Sequence, residues 1–218
     1  MTDTGACRYC FGGEEFVLCP ERALWSPGRA TIFVADLHLG KSAVFRASGL
    51  AVPEGIAGDL ARLSDLLAAV RAERLVVLGD LFHAPEGQTH AVRSALARWR
   101  SQSSGIEVIV TRGNHDRACA ALLEDLGIGF QTSHRFGEIE CVHAPGDAPS
   151  GASSVLCGHI HPAVRLRDQT GSFRLPCFWF SSSCGVLPAF GGFTGTHAID
   201  RKPGDRVFAI ADGRVMEV

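Results

Sequence analysis

The sequence predicts an α/β fold with α+β character, in which a parallel sheet from the first half of the chain packs against a second sheet from the other half. Three observations lead there. Up to about residue 126, apolar strand-like runs alternate with helical spacings, the pattern of a parallel sheet with right-handed crossovers. Beyond that point short apolar runs follow one another directly. The length of 218 residues, with 46% hydrophobic and 20% charged, suits one domain over 1–218 with a sizeable core.

The elements follow in order. Residues 1–13 are expected to be a flexible N-terminus. Cys7 and Cys10 in it have CxxC spacing, but a structural zinc site needs further ligands and no second CxxC exists. Residues 14–25 suggest two short strands around Cys19-Pro20. ATIFVAD (30–36) is a β-branched apolar run ending at a carboxylate, a buried strand. Residues 37–55, with Gly40, Gly49, Pro53 and Gly55, read as a loop. Ile56, Leu60, Leu63, Leu66, Leu67 and Val70 fall at helical spacing over 56–73. LVVLGD (75–80) is a second buried strand. Val92, Leu96 and Trp99 mark a helix over 88–101. IEVIVTRGNHD (106–116) is a strand running into a polar loop, and a short helix is expected at about 118–126. IECVHAP, SVLCGHIHP, AVRLRD, FRLPCFWF and RVFAIADGRVMEV then read as successive short strands.

A net charge of −2 and an isoelectric point near 6.5 give no support for a dedicated non-specific DNA binder, although a local basic patch would suffice to hold nucleic acid. The start shows no charged segment followed by an apolar one, and no apolar run approaches a membrane span of roughly 18 residues. Several of the eight cysteines lie in apolar runs as small hydrophobes. A cytoplasmic protein with reduced thiols and no membrane association is expected.

Polar residues fall where strands end, and the carboxyl ends of parallel strands form a binding edge. Asp36 and His38 follow the first buried strand and Asp80 the second. Asn114, His115 and Asp116 follow the third, His143 follows IECV, and His159 and His161 follow SVLCG. Taken singly, each has an ordinary explanation as a cap, a turn residue or a core histidine. His159 and His161 could be surface histidines. On an extended chain, however, positions i and i+2 point the same way, so the two imidazoles can also hold metal, one ion each. Five strands all ending in oxygen or imidazole donors favour the metal reading.

DLH (36–38), GD (79–80), GNHD (113–116), His143 of VHAP and GHIH (158–161) resemble, in order, the motifs of calcineurin-like metallophosphoesterases. The resemblance implies two packed mixed β-sheets flanked by helices, a four-layer sandwich, with two divalent metals at the sheet edge. Asp36, His38, Asp80 and His161 would hold one, and Asp80, Asn114, His143 and His159 the other, with Asp80 bridging. A metal-activated hydroxide would attack, His115 would protonate the leaving oxygen, and Asp116 would orient the His115 imidazole. Imidazole, carboxylate and amide donors suit Mn, Fe or Zn better than Ca. Many family members carry Gly after the fourth-motif His, where this chain has Ala144.

ADLHLGK (35–41), GLAVPEG (49–55), GDLFH (79–83) and LPAFGGFTG (187–195) resemble the DNA-ligase-associated branch. That likeness implies a manganese-dependent DNA endonuclease of the DNA-damage response; the near-neutral charge, which implies few phosphate contacts, favours single-stranded or unpaired DNA over a wrapped duplex. The likeness also implies functional association with an ATP-dependent ligase, a helicase and an exonuclease. Lys41 would pair with a substrate phosphate, His83 would touch the phosphodiester or fix its loop, and Arg112 is a weaker phosphate candidate. Phe190 and Phe193 would flank bases or pack in the core. The competing readings are a phosphodiesterase of small substrates such as cyclic nucleotides, a phosphomonoesterase, and a non-enzymatic metal-binding scaffold. The last is disfavoured because every ligand position is filled.

Overall fold

The computed structural model describes residues 5–52, 55–116, 118–168 and 171–218. Residues 1–4 of the expected flexible terminus, and Pro53 of the expected loop, lie outside these. One sheet contains β1 (Cys7–Phe11), β2 (Glu14–Cys19), β3 (Ala23–Ser26), β4 (Thr31–Val34), β5 (Arg74–Val77), β6 (Glu107–Thr111) and β7 (Gly129–Gln131), in that spatial order. The first three strands run antiparallel and β4 to β7 are parallel. The helices are α1 (Lys41–Ala47), α2 (Ile56–Val70), α3 (His90–Gln102) and α4 (Ala120–Asp125).

The second sheet holds β8 (His134–Phe136), β9 (Ile139–Cys141), β10 (Ser154–Cys157), β11 (Pro162–Asp168), β12 (Gly171–Phe180), β13 (Cys184–Val186), β14 (His197–Ala198), β15 (Arg206–Ala211) and β16 (Arg214–Glu217). It too is mixed: β10 is parallel to β9 and β13, while β12 is antiparallel to β11, β13 and β15.

Each expected element has a local cause. Leu60, Leu63, Leu66 and Leu67 are the buried stripe of α2. The N-cap Thr89 accepts the Val92 amide, and Val92, Leu96 and Trp99 form the buried face of α3. The Trp99 indole N–H donates to Ser64 at 3.0 Å, joining α3 to α2. These apolar faces pack with Leu123 of α4 on one side of the first sheet. Its other side meets the second sheet in a core of Phe16, Phe33, Val76, Phe136, Leu156, Phe178, Phe180 and Phe208. Phe33 and Phe136 meet edge-on across the two sheets, ring centres 4.8 Å apart. The outer side of the second sheet carries a smaller cluster of Val142, Val155, Cys157 and Val186, with Ala148 beside the short 3-10 turn Pro145–Asp147 packed on it. The expected fourth layer is therefore thin there.

Two expectations are corrected. Cys7–Phe11 is a strand rather than part of a flexible terminus. It forms a hairpin with β2 around Gly12-Gly13, and its alternate residues Tyr9 and Phe11 place their rings 4.6 and 5.3 Å from Phe180. The amide of Val215, in β16, donates to the Gly5 carbonyl just ahead of β1. Cys7 shares the packed face with Tyr9, whereas Cys10 is exposed. Strand positions three apart point to opposite faces, so this pair does not converge on one ion. Residues 41–47, expected as loop, form α1. Its N-cap is Gly40 at φ 84° with no side-chain cap bond, so no capping residue announced it.

Phe33→Ala is expected to destabilise the protein by roughly 3–5 kcal/mol, because it leaves a cavity between the sheets. Urea unfolding of both proteins measures this; a loss below about 1 kcal/mol would show that the interface closes around the gap.

Candidate metal centre

The carboxyl ends of β4, β5 and β6 lie side by side, and those of β9 and β10 meet them from the second sheet. The loops after β4 and β5 stay paired beyond the strands: the Asp36 amide donates to Gly79, and the His38 amide to Asp80 at 2.9 Å. The Gly158 amide donates to His143 at 2.9 Å in the same way.

Two carboxylates organise this edge. Asp36 is fully buried and Asp80 almost so. Asp36 Oδ2 accepts the His159 amide at 2.9 Å, and Asp80 Oδ1 accepts the His115 amide at 3.0 Å. The second oxygen of each faces imidazoles. Asp36 Oδ1 has no hydrogen-bond partner and lies 3.6 Å from His161 Nε2. Asp80 Oδ2 lies 3.9 Å from His38 Nε2 and 3.6 Å from His143 Nε2. Burial raises the Asp80 pKa against the opposing effects of His143 and the His115 amide.

The imidazoles are aimed by backbone carbonyls. His143 Nδ1 donates to Leu78 and His161 Nδ1 donates to Gly195, each at 3.2 Å. A carbonyl only accepts, so these contacts leave each Nε2 as a lone pair facing the site. His161 Nε2 then lies 3.3 Å from His38 Nε2. His143 Nε2 lies 3.0 Å from His159 Nδ1 and 2.8 Å from Asn114 Oδ1. The His38 pKa is pushed down to about 2, first by burial and then by His161, Lys41, His83 and His115. Its ring therefore stays a neutral donor.

The donors form two groups, Asp36 with His38 and His161, and Asp80 with His143 and His159, the atoms within each lying within 4.8 Å of one another. A buried carboxylate oxygen facing imidazoles with no hydrogen-bond partner is unfavourable without a cation. The residues thus fit two divalent ions. Asp80 is grouped with His143 yet stands within 3.9 Å of His38 in the other group, the place of a bridge. His159 and Asn114 are exposed while Asp36 and His38 are buried. One end accordingly opens into a cavity of about 520 Å³ lined by Arg112, Gly113, Asn114, Thr132, His143, Ala144, Asp147 and His159.

The local backbone is unusual. Asp36, His38, Asp80, His159 and His161 have φ of 52°, 49°, 46°, 67° and 52°, left-handed values that cost L-residues roughly 1–3 kcal/mol each. His159 and His161 therefore sit in a turn after β10, which corrects the extended-chain reading, and each joins a different donor group. Gly79 has φ 73°, and a Cβ there would lie 2.3 Å from the His143 ring. A Cβ on Gly113 would lie 2.1 Å from Asp80 Oδ1. Ala144 has φ −112° and ψ 152°, open to any residue, so glycine is not required after His143.

The remaining candidates are placed as follows. His115 is half-exposed beside Asp80, its Nε2 3.9 Å from Oδ2. His83 stacks on it with ring centres 5.5 Å apart and a 21° interplanar angle, and stands edge-on to His38. The His83 pKa is lowered by burial, then by Lys41 and His115. Lys41 is half-buried at the start of α1, its Nζ 5.8 Å from the Phe45 ring centre. Arg112 is exposed on the cavity rim, its guanidinium 5.4 Å from the Phe130 ring. Phe190 belongs to the core with Arg62 stacked on it, and Phe193 lines a small crevice beside Lys41.

Asp116 corrects an expectation. Its buried carboxylate accepts the amides of Leu81, Phe82 and Gly113 at 3.3, 3.1 and 3.1 Å. It fastens the loop after β6 to the loop after β5 and is not bonded to the His115 ring. The Leu78 and Gly195 carbonyls carry no mark in the sequence, because a backbone acceptor leaves no residue signature.

A sequence model of the calcineurin-like phosphoesterase family matches residues 30–177. Among solved structures, the nuclease MPE of Pseudomonas putida aligns with a TM-score of 0.85 and 32% identity, covering 98% of this chain and all of that one. YfcE, a phosphoesterase from E. coli, aligns with a TM-score of 0.45 and 15% identity over 86% of this chain and 97% of its own. A Vps29 from Entamoeba histolytica gives 0.39 and 13% over 86% and 96%. No curated protein matches the sequence.

Asp80→Asn is expected to lower bound metal from two ions per chain toward one or none, because it removes charge between the two groups. Elemental analysis after manganese loading reads this, and full occupancy would rule out a bridging role. Gly113→Ala should act in the same direction through its clash with Asp80 while leaving the circular-dichroism spectrum unchanged.

Proposed function

This chain belongs to the calcineurin-like phosphoesterase family and is a metal-dependent phosphoesterase; from that premise we propose that it is a manganese-dependent DNA endonuclease of DNA repair, cutting single-stranded or unpaired regions. The observation that carries this reading is the 32% identity to a nuclease over 98% of the chain, joined to a complete donor set. Two divalent cations supply Lewis acidity toward the phosphoryl oxygens and a water made acidic enough to attack near neutral pH.

The chain's own residues do the rest. Asp36, His38, Asp80, Asn114, His143, His159 and His161 hold the ions. His115, half-exposed beside Asp80 and stacked on His83, protonates the leaving oxygen. Asp116 positions it through the backbone: the carboxylate fixes Gly113, while the His115 amide binds Asp80. Lys41 supports the phosphate, its own pKa lowered by burial. Arg112 reaches the open cavity from its rim. The mixed imidazole, carboxylate and amide donors suit manganese, iron or zinc better than calcium, and manganese is chosen among them on the resemblance to the DNA-ligase-associated branch. A DNA-repair role in company with an ATP-dependent ligase, a helicase and an exonuclease completes the proposal; it is supported by the ADLHLGK, GDLFH and LPAFGGFTG strings.

Manganese-loaded protein is expected to linearise circular single-stranded DNA, a substrate without ends. An intact circle beside rapid hydrolysis of cyclic nucleotides would replace this reading with a small-phosphodiester hydrolase.

His115→Ala is expected to keep its metal and to lose roughly 10²–10⁴-fold in rate on DNA. The loss should shrink on bis(4-nitrophenyl) phosphate, whose leaving group needs no proton. Equal losses on both substrates would assign His115 to positioning instead.

A further inference from the structure

The near-neutral chain hides a local concentration of positive charge. β11 begins one residue after the metal-site residue His161 and pairs with β12 to form a two-stranded ribbon. In its register Arg165 stands opposite Arg174, and Arg167 opposite Ser172. Residues directly opposite share a face, as do residues two apart. Arg165, Arg167 and Arg174 therefore crowd one face, while Val164, Leu166, Phe173 and Leu175 occupy the other. All three arginines are exposed.

Like charges directly opposite on a ribbon repel. Among the described residues, neither the Arg165 nor the Arg167 side chain has an ion pair or hydrogen bond. Arg174 donates only to the Thr196 carbonyl, at 3.2 Å. The carbonyl one residue earlier, Gly195, is the one that holds the metal-site residue His161. The arginine face and the metal centre thus share the 195–196 segment. At about 3.3 Å per residue, Arg165 and Arg167 lie roughly 13 and 20 Å along the ribbon from His161. An extended strand several nucleotides long would span that reach.

We propose that the Arg165–Arg167–Arg174 face of the β11–β12 ribbon grips the phosphate backbone of a nucleic-acid strand whose scissile bond lies at the metal centre. This rests on the nuclease reading and adds to it the track along which the strand runs. Guanidinium groups spaced along a ribbon bind phosphates at each step without reading bases. The grip should therefore be indifferent to sequence and weakened by salt.

The test uses the double variants Arg165→Glu with Arg167→Glu, and Arg165→Ala with Arg167→Ala. Arg174 is left in place because its bond adjoins the segment that holds His161. Each manganese-loaded protein is assayed on circular single-stranded DNA and on bis(4-nitrophenyl) phosphate over a range of salt. The glutamate variant is expected to lose roughly tenfold or more in kcat/KM on the circle, chiefly through KM. The alanine variant should show a shallower salt dependence, by roughly 0.7 in log–log slope for each phosphate it no longer neutralises. Hydrolysis of the small diester should be unchanged in both. Unchanged cleavage of the circle by both variants would overturn the inference and leave the nuclease reading intact. Parallel loss on both substrates would also overturn it, since the ribbon would then act by holding His161. If unaltered protein hydrolyses the small diester and spares the circle, the nuclease reading itself fails and the inference falls with it.

Discussion

Two buried carboxylates, each dividing its oxygens between a backbone amide and the imidazoles of the candidate metal centre, are the constraint on which the rest of this structure depends. The amide bonds from His159 to Asp36 and from His115 to Asp80 cross between loops that arise on different strands, and the first crosses between the two sheets. A carboxylate so held cannot turn away from its imidazole neighbours, so the site stays open to cations even though that leaves Asp36 Oδ1 unpartnered. Left-handed backbone at five of the donors is the geometric consequence, because the chain must reverse sharply to bring side chain and amide to the same point. Such strain persists only where surroundings over-determine it. The apolar core between the sheets and the three amides on Asp116 supply that restraint.

Much of this was legible in the sequence, for identifiable reasons. Buried parallel strands announce themselves as apolar runs, and five such runs each ending in a carboxylate, amide or histidine have few ordinary explanations together, so Asp36, Asp80 and the GNHD and GHIH motifs were readable. The glycines of those motifs have a steric reason, since Gly79 and Gly113 have His143 and Asp80 where a side chain would go. The illegible parts share one trait: they depend on atoms that residue identity does not report. The Leu78 and Gly195 carbonyls select the tautomers of His143 and His161, and any residue could offer them. Asp116 sits beside His115 in sequence, which suggests a side-chain partnership, whereas its carboxylate is consumed by amides, two of them from another loop. His159 and His161 look like neighbours on a strand because alternation assumes extended backbone, and their positive φ values break that assumption. β1 gives little signal because only three of its residues, Cys7, Tyr9 and Phe11, face the protein, too few to raise a periodic pattern. The arginine ribbon is invisible for the opposite reason: Arg165 and Arg174 are far apart in sequence, and only the register of β11 on β12 places them face to face.

The bond between the Gly5 carbonyl and the Val215 amide bears on how the molecule is made. Every residue of the candidate metal centre, from Asp36 to His161, is synthesised before β15 and β16. At roughly 5–20 residues per second, a few seconds separate the last of those residues from the closing hairpin. During that interval the packed face of β1 is incomplete, since Tyr9 rests on Phe180 and Phe208 and Phe11 on Phe180, and these arrive late. The nascent chain therefore carries every residue of the candidate metal centre while the packed face of β1 still lacks its late partners. Contacts of such long sequence separation are slow to form. The Gly5–Val215 bond thus ties together two segments that are synthesised far apart in time, and the packed face of β1 is completed only once β15 and β16 are in place.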